Sequence, residues 1–116
     1  MNDDMKVLKL IIKYCEGIEN AMNRFGRDEE DFLGDTEYQY TCSFCLTQVG
    51  EMVKRLSARI TEEHPEIPWN KIAGMRDIIS HEYGKVNMNI VWITINERIP
   101  ALKDTCEKIL RQLEMT

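Results

Sequence analysis

Three residues near the middle of the chain could do chemistry together: Arg76, His81 and Tyr83, within Arg76-Asp77-Ile78-Ile79-Ser80-His81-Glu82-Tyr83. Arginine is always cationic and can grip a phosphate with two parallel donors. Histidine titrates near pH 6.5 and can move a proton. Tyrosine offers a hydroxyl that donates or accepts. These are the parts for handling a phosphodiester without a metal. On one continuous helix Tyr83 lies nearly above Arg76, with His81 about 140° round the axis. A helix loosening near His81 would bring the three closer. The same residues also suit a plain helix end, with Arg76 paired to a carboxylate, His81 near the C-terminus and Tyr83 packed. Residue types alone leave both readings open.

Other residues invite chemical readings with less support. Cys42-x-x-Cys45 would need two further ligands for a zinc site, and no second pair exists. Spaced i, i+3 on an apolar helix face, the two read as core packing, as do Cys15 and Cys106. His64, among Glu62, Glu63 and Glu66, reads as a solvated turn rather than a metal site. The acidic run Asp28 to Asp31 reads as a solvated loop, with docking onto a basic partner as the alternative. Lys54, Arg55, Arg59 and Lys85 could steer RNA towards the Arg76 segment, or could simply be exposed. Trp69 and Trp92 fit a core or a subunit interface. No metal or other cofactor is expected.

The elements that must position Arg76 to Tyr83 are helical. Residues 3–25 place Val7, Leu10, Ile11, Tyr14, Cys15, Ile18, Ala21, Met22 and Phe25 at steps of three or four, an amphipathic helix with Asn2 or Asp3 as cap and Gly26 as stop. A polar connector runs to about Asp35, a plausible N-cap for a long helix from Thr36 to Glu63. His64-Pro65-Glu66-Ile67-Pro68 breaks that helix. The spacing then predicts a helix from Pro68 to His81, with Pro68 in its first turn. Gly74 within it suggests a close helix–helix approach, because a mid-helix glycine costs about 1 kcal/mol against alanine. A fourth helix follows Asn87 or Asn89, and Pro100 can begin a fifth. Ile90 to Ile95 has strand propensity but no partner strand. The expected fold is all-α, an up-and-down four-helix-type bundle with an extra or broken helix, in a single domain spanning 1–116.

Composition narrows the function classes. The chain has 116 residues, 43% hydrophobic and 30% charged, which suits one globular domain with a real core. Its formal net charge of −5 argues against coating nucleic acid by bulk electrostatics, while leaving room for a local basic site. No apolar run reaches the roughly 18–20 residues of a membrane span. The acidic start, Met-Asn-Asp-Asp, is unlike a signal peptide. A cytoplasmic location with no membrane partner is expected.

Arg-x4-His-x-Tyr resembles the signature of HEPN domains. More narrowly, Ile67-Pro68-Trp69-Asn70-Lys71-Ile72-Ala73-Gly74-Met75-Arg76-Asp77-Ile78-Ile79-Ser80-His81-Glu82-Tyr83 resembles the HepT-like (DUF86) branch, as do Val86, Val91-Trp92 and Ile99-Pro100-Ala101-Leu102. Length and helical order agree over nearly the whole chain. One position departs: Asp77 follows the motif arginine where asparagine is common, and its carboxylate could partly neutralise Arg76. The resemblance implies an all-α homodimer with the motif facing a shared cleft. It implies a metal-independent ribonuclease toxin with RNA as substrate. It also implies a minimal nucleotidyltransferase antitoxin that attaches AMP to the motif tyrosine. Carried over, Arg76 and His81 would be catalytic, Tyr83 the modified residue and Asp77 a supporting neighbour. A non-enzymatic helical adaptor to a nucleotidyltransferase is the rival expectation. A plain structural bundle is the third.

Overall fold

Asp3 and Asp4 put negative charge in the first turn of a long helix, where the macrodipole favours it. The computed structural model describes residues 2–116, leaving aside the side chains of Asn2, Glu82 and Tyr83. Helix α1 spans Asn2–Phe25. It already includes Asn2, so neither Asn2 nor Asp3 is its cap. Its inward stripe runs through Leu8, Ile11, Cys15, Ile18 and Met22. Leu8 takes the inward place expected of Leu10, which is exposed. Gly26 stops the helix at φ 118°, a left-handed conformation that glycine enters without strain.

The stretch expected to be a plain connector holds a short helix, α2 (Glu29–Leu33). Its physical reason is Phe32, which follows the acidic run and which the turn carries into the core while Leu33 beside it stays exposed. There Phe32 packs against Tyr38 and Trp92, at ring-centroid distances of 5.0 and 5.3 Å. The Tyr38 hydroxyl donates to the Gly26 carbonyl at 2.8 Å and so ties the α1 exit to the next helix.

That helix, α3 (Thr36–Val53), starts at Asp35 as expected, with the carboxylate accepting from the Glu37 and Tyr38 N–H groups. It does not continue to Glu63. The chain breaks at Lys54–Ser57 and resumes as α4 (Ala58–Glu63). No proline or glycine marks the break. A distant residue stabilises it: Asp4 of α1 accepts from the Ser57 N–H at 2.9 Å and from its hydroxyl at 2.8 Å. Burial of the Asp4 carboxyl raises its pKa, while these two hydrogen bonds are the largest of the influences that lower it, and the net value lies below the usual carboxylate value. The break lets Leu56 and Ile60 turn into the core.

Helix α5 spans Trp69–Glu82. Pro68 sits just before it, its carbonyl accepting from Lys71 and Ile72, and the indole of Trp69 donates to the His64 carbonyl at 2.9 Å. A 3-10 turn follows at Tyr83–Lys85. Asn87 caps α6 (Met88–Glu97), accepting from Asn89 N–H at 2.9 Å. The strand-prone stretch from Ile90 to Ile95 is therefore helical. Helix α7 spans Ile99–Glu114, with Pro100 in its first turn.

Four long helices alternate in direction. α3 packs on α1, α5 on α3 and α7 on α1. Lys103 of α7 meets Glu19 of α1 at 2.7 Å. α6 crosses one end, over the Phe32–Tyr38–Trp92 cluster. The all-α up-and-down bundle is as expected, with α2, α4 and α6 as short additions, and no strand occurs among the described residues. Both tryptophans are core residues. All four cysteines are free and buried, and burial pushes the Cys42 thiol up to about 12. No described helix is long and apolar enough to cross a membrane.

Candidate functional site

The close helix–helix approach lies at Gly50 on α3, not at Gly74. A Cβ on Gly50 would stand 2.7 Å from the Arg76 Cβ and 3.1 Å from the Ile72 carbonyl oxygen, whereas one on Gly74 would meet nothing within 4 Å. α5 therefore lies almost on the α3 backbone at the level of Arg76. That brings Arg76 beside Glu51, the residue after Gly50.

The guanidinium is held from two directions. Its Nε lies 3.1 Å from a Glu51 carboxylate oxygen. Its Nη1 donates to Asp77 at 3.1 Å. Asp77 in turn accepts from Lys54 at 3.0 and 3.2 Å. The Lys54 ammonium, and secondarily Arg76, hold the Asp77 carboxyl below the usual carboxylate value. Lys54, Asp77, Arg76 and Glu51 thus form a row of alternating charge with no net sum. The Arg76 side chain is about one-third exposed, at 34%. Asp77 joins the site as expected. Glu51 was missed, because no helical spacing links position 51 to position 76; only tertiary packing does.

His81 is exposed. It lies one turn beyond Asp77 on α5, since residues i and i+4 share a face. Because α5 stays helical through Glu82, no loosening at His81 brings the three closer, and the helix yields to the 3-10 turn only afterwards. Arg76 and His81 of one chain therefore remain about 140° apart. Among the described residues no hydrogen bond or ion pair joins them. The backbone of Tyr83 opens the 3-10 turn, while its side chain lies outside the described residues.

The basic residues proposed to steer RNA do not form one patch. Lys54 belongs to the Arg76 row, and Lys85 is exposed at the end of the 3-10 turn. Arg55 and Arg59 instead line a separate cavity of about 520 Å³ with Asp4, His64 and residues of α7. Arg59 also pairs with Glu63 at 3.6 Å. Neither Arg76 nor His81 borders that cavity.

What the Arg76 row can do chemically is present a fixed cation at a surface, with a proton carrier one helical turn further on. Comparison with known proteins bears on that chemistry. A family profile described as "Ribonuclease HepT-like" matches residues 11–109. "Putative RNase MJ0125" of Methanocaldococcus jannaschii is 36% identical over 104 residues, covering 90% of this chain and 88% of that protein. "Putative RNase TTE0752" of Caldanaerobacter subterraneus subsp. tengcongensis is 37% identical over 105 residues, covering 90% and 92%. "Probable ribonuclease HepT" of Thermococcus cleftensis is 40% identical over 80 residues, covering 69% and 73%. No solved structure matches this chain.

Proposed function

From the premise that this chain belongs to the HepT-like ribonuclease family, we propose that it is the toxin of a toxin–antitoxin pair, a metal-independent endoribonuclease that uses Arg76 and His81. The observation that carries the reading is the fixed Arg76 guanidinium at the α3–α5 surface, with exposed His81 further along the same helix. Attack by a ribose 2′-hydroxyl on its own phosphate is already intramolecular, so the enzyme chiefly aligns it and manages two protons. One histidine takes the 2′-hydroxyl proton as the 2′-oxygen bonds to phosphorus. The bond from phosphorus to the 5′-oxygen breaks, and a second proton goes to that oxygen. Arg76 opposes the charge that grows on the phosphate oxygens. Because Arg76 and His81 of one chain diverge, two chains related by a two-fold axis supply a complete set in a shared cleft.

The expected result is that Arg76→Ala and His81→Ala each abolish RNA cleavage without unfolding the bundle. Cleavage survives EDTA and leaves a 2′,3′-cyclic phosphate and a 5′-hydroxyl. A Mg²⁺ requirement, or full activity in His81→Ala, overturns the mechanism.

Regulation belongs to the same reading. A minimal nucleotidyltransferase antitoxin attaches AMP to Tyr83, whose phenol oxygen attacks the ATP α-phosphate and releases pyrophosphate. The added phosphate places negative charge near the arginine that holds substrate. Incubation with that partner and ATP, followed by peptide mass spectrometry, should map the adduct to Tyr83. Tyr38 serves as the control, because its ring is buried and its hydroxyl is bonded to Gly26. Full ribonuclease activity after complete modification of Tyr83 counts against this regulation. One observation favours the adaptor alternative: two carboxylates flank Arg76. The same cleavage assay separates the two.

A further inference from the structure

We infer that Glu51 is the positioning residue of the site, setting the direction in which Arg76 presents its guanidinium to a phosphate. The inference rests on the assignment of Arg76 as the phosphate-binding group. An arginine side chain is long and rotamer-rich, and an exposed one samples many directions. Here two of its three nitrogens are engaged before any substrate arrives. Nε faces Glu51 at 3.1 Å and Nη1 faces Asp77 at 3.1 Å.

The two carboxylates differ in what they can fix. Asp77 is the next residue along α5 and is exposed, so it moves with Arg76. Glu51 belongs to another helix, and its side chain is about as shielded as that of Arg76, at 35% and 34% exposure. It is anchored one residue after Gly50, where the two helices lie too close to admit a Cβ. Among the described residues, only Glu51 ties the guanidinium by an ion pair to a frame outside its own helix. Lys54, also from the α3 end, draws the Asp77 carboxylate towards itself, so Asp77 is not free to follow the guanidinium and displace Glu51.

A carboxylate beside a phosphate-binding arginine could instead act only as a competitor for its charge. The two roles predict opposite outcomes. Positioning by an ion pair needs the Glu51 charge, which Glu51→Gln and Glu51→Ala both remove. Each should lower kcat by about 10- to 100-fold, the scale of a misaligned group, with little change in KM. If both variants instead bind RNA more tightly at unchanged kcat, Glu51 is a competing charge and the inference is wrong. Wild-type kcat in either variant overturns it equally.

A readout independent of cleavage is the rotation of the Arg76 guanidinium about its Nε–Cζ bond, followed by ¹⁵N NMR of the RNA-free protein. It should be slow in the wild type and fast in Glu51→Gln and Glu51→Ala. Should either variant fail to fold, the wild-type rotation decides: rotation as fast as that of exposed Arg111 overturns the inference. A wild-type protein that shows slow rotation but cuts no RNA refutes the ribonuclease reading and leaves the Glu51 contact standing.

Discussion

At the scale of single residues, Asp77 shows how a residue that looks unfavourable by type can be neutral by context. A carboxylate next to a phosphate-binding arginine subtracts charge, yet this one is shared with Lys54. Asp77→Asn should keep or raise RNA cleavage, by no more than a few-fold, because it frees both cations at once. The pH dependence has a definite sign. Lys54 first, then Arg76, lower the folded-state pKa of Asp77. Its bridging is therefore present above the ordinary carboxylate pKa and is lost only as pH falls through the lowered value. Asp77 stays charged across about pH 5–8, so Asp77→Asn should shift the pH–rate profile vertically without changing its shape. A profile that changes shape in this range assigns Asp77 a proton-transfer role instead.

Among the helices, the two glycines at the α3–α5 contact make a paired test. Gly50→Ala forces a Cβ to within 2.7 Å of the Arg76 Cβ, a rigid neighbour. α5 must shift, at a cost of about 1–3 kcal/mol and with loss of the Glu51–Arg76 geometry. Gly74→Ala meets no atom of this chain, so it should stabilise by roughly 0.5–1 kcal/mol by restricting the unfolded chain. Thermal melts of the two variants should move in opposite directions. The pair also shows what could be read in advance. Periodicity located the long helices because each must bury one stripe, and Asp35 and Asn87 marked starts because their side chains cap locally. Arg76, Asp77 and His81 were legible because they lie within one helix. What could not be read depends on partners far along the chain. The break at Lys54–Ser57 needs Asp4, the α2 turn needs Trp92 to receive Phe32, and the role of Glu51 needs Gly50 against α5.

For the molecule as a whole, several large apolar side chains stay outside the bundle. Phe44 is 58% exposed and meets the Tyr14 ring edge-on. Ile78, Ile90 and Ile93 are each about half exposed. Scattered apolar residues are ordinary on a surface, but this many large ones on a chain of 116 residues suit a surface that meets another. Together with the divergence of Arg76 and His81, they support association into a two-fold dimer. Light scattering at micromolar concentration should return twice the chain mass. A monomer there would leave each Arg76 without a histidine beside it.

The latch between Asp4 and Ser57 has a consequence for where a protease can cut. Asp4→Ala leaves every core residue from Val7 onward in place, yet removes the acceptor for the Ser57 N–H and hydroxyl. The first turn of α4 would lose its anchor to α1, about 1 kcal/mol on the scale of a lost helix cap. Local opening would then expose the Lys54-Arg55 pair, a substrate for trypsin, more often than global unfolding does. Limited digestion should therefore nick Asp4→Ala at this segment sooner than the parent chain.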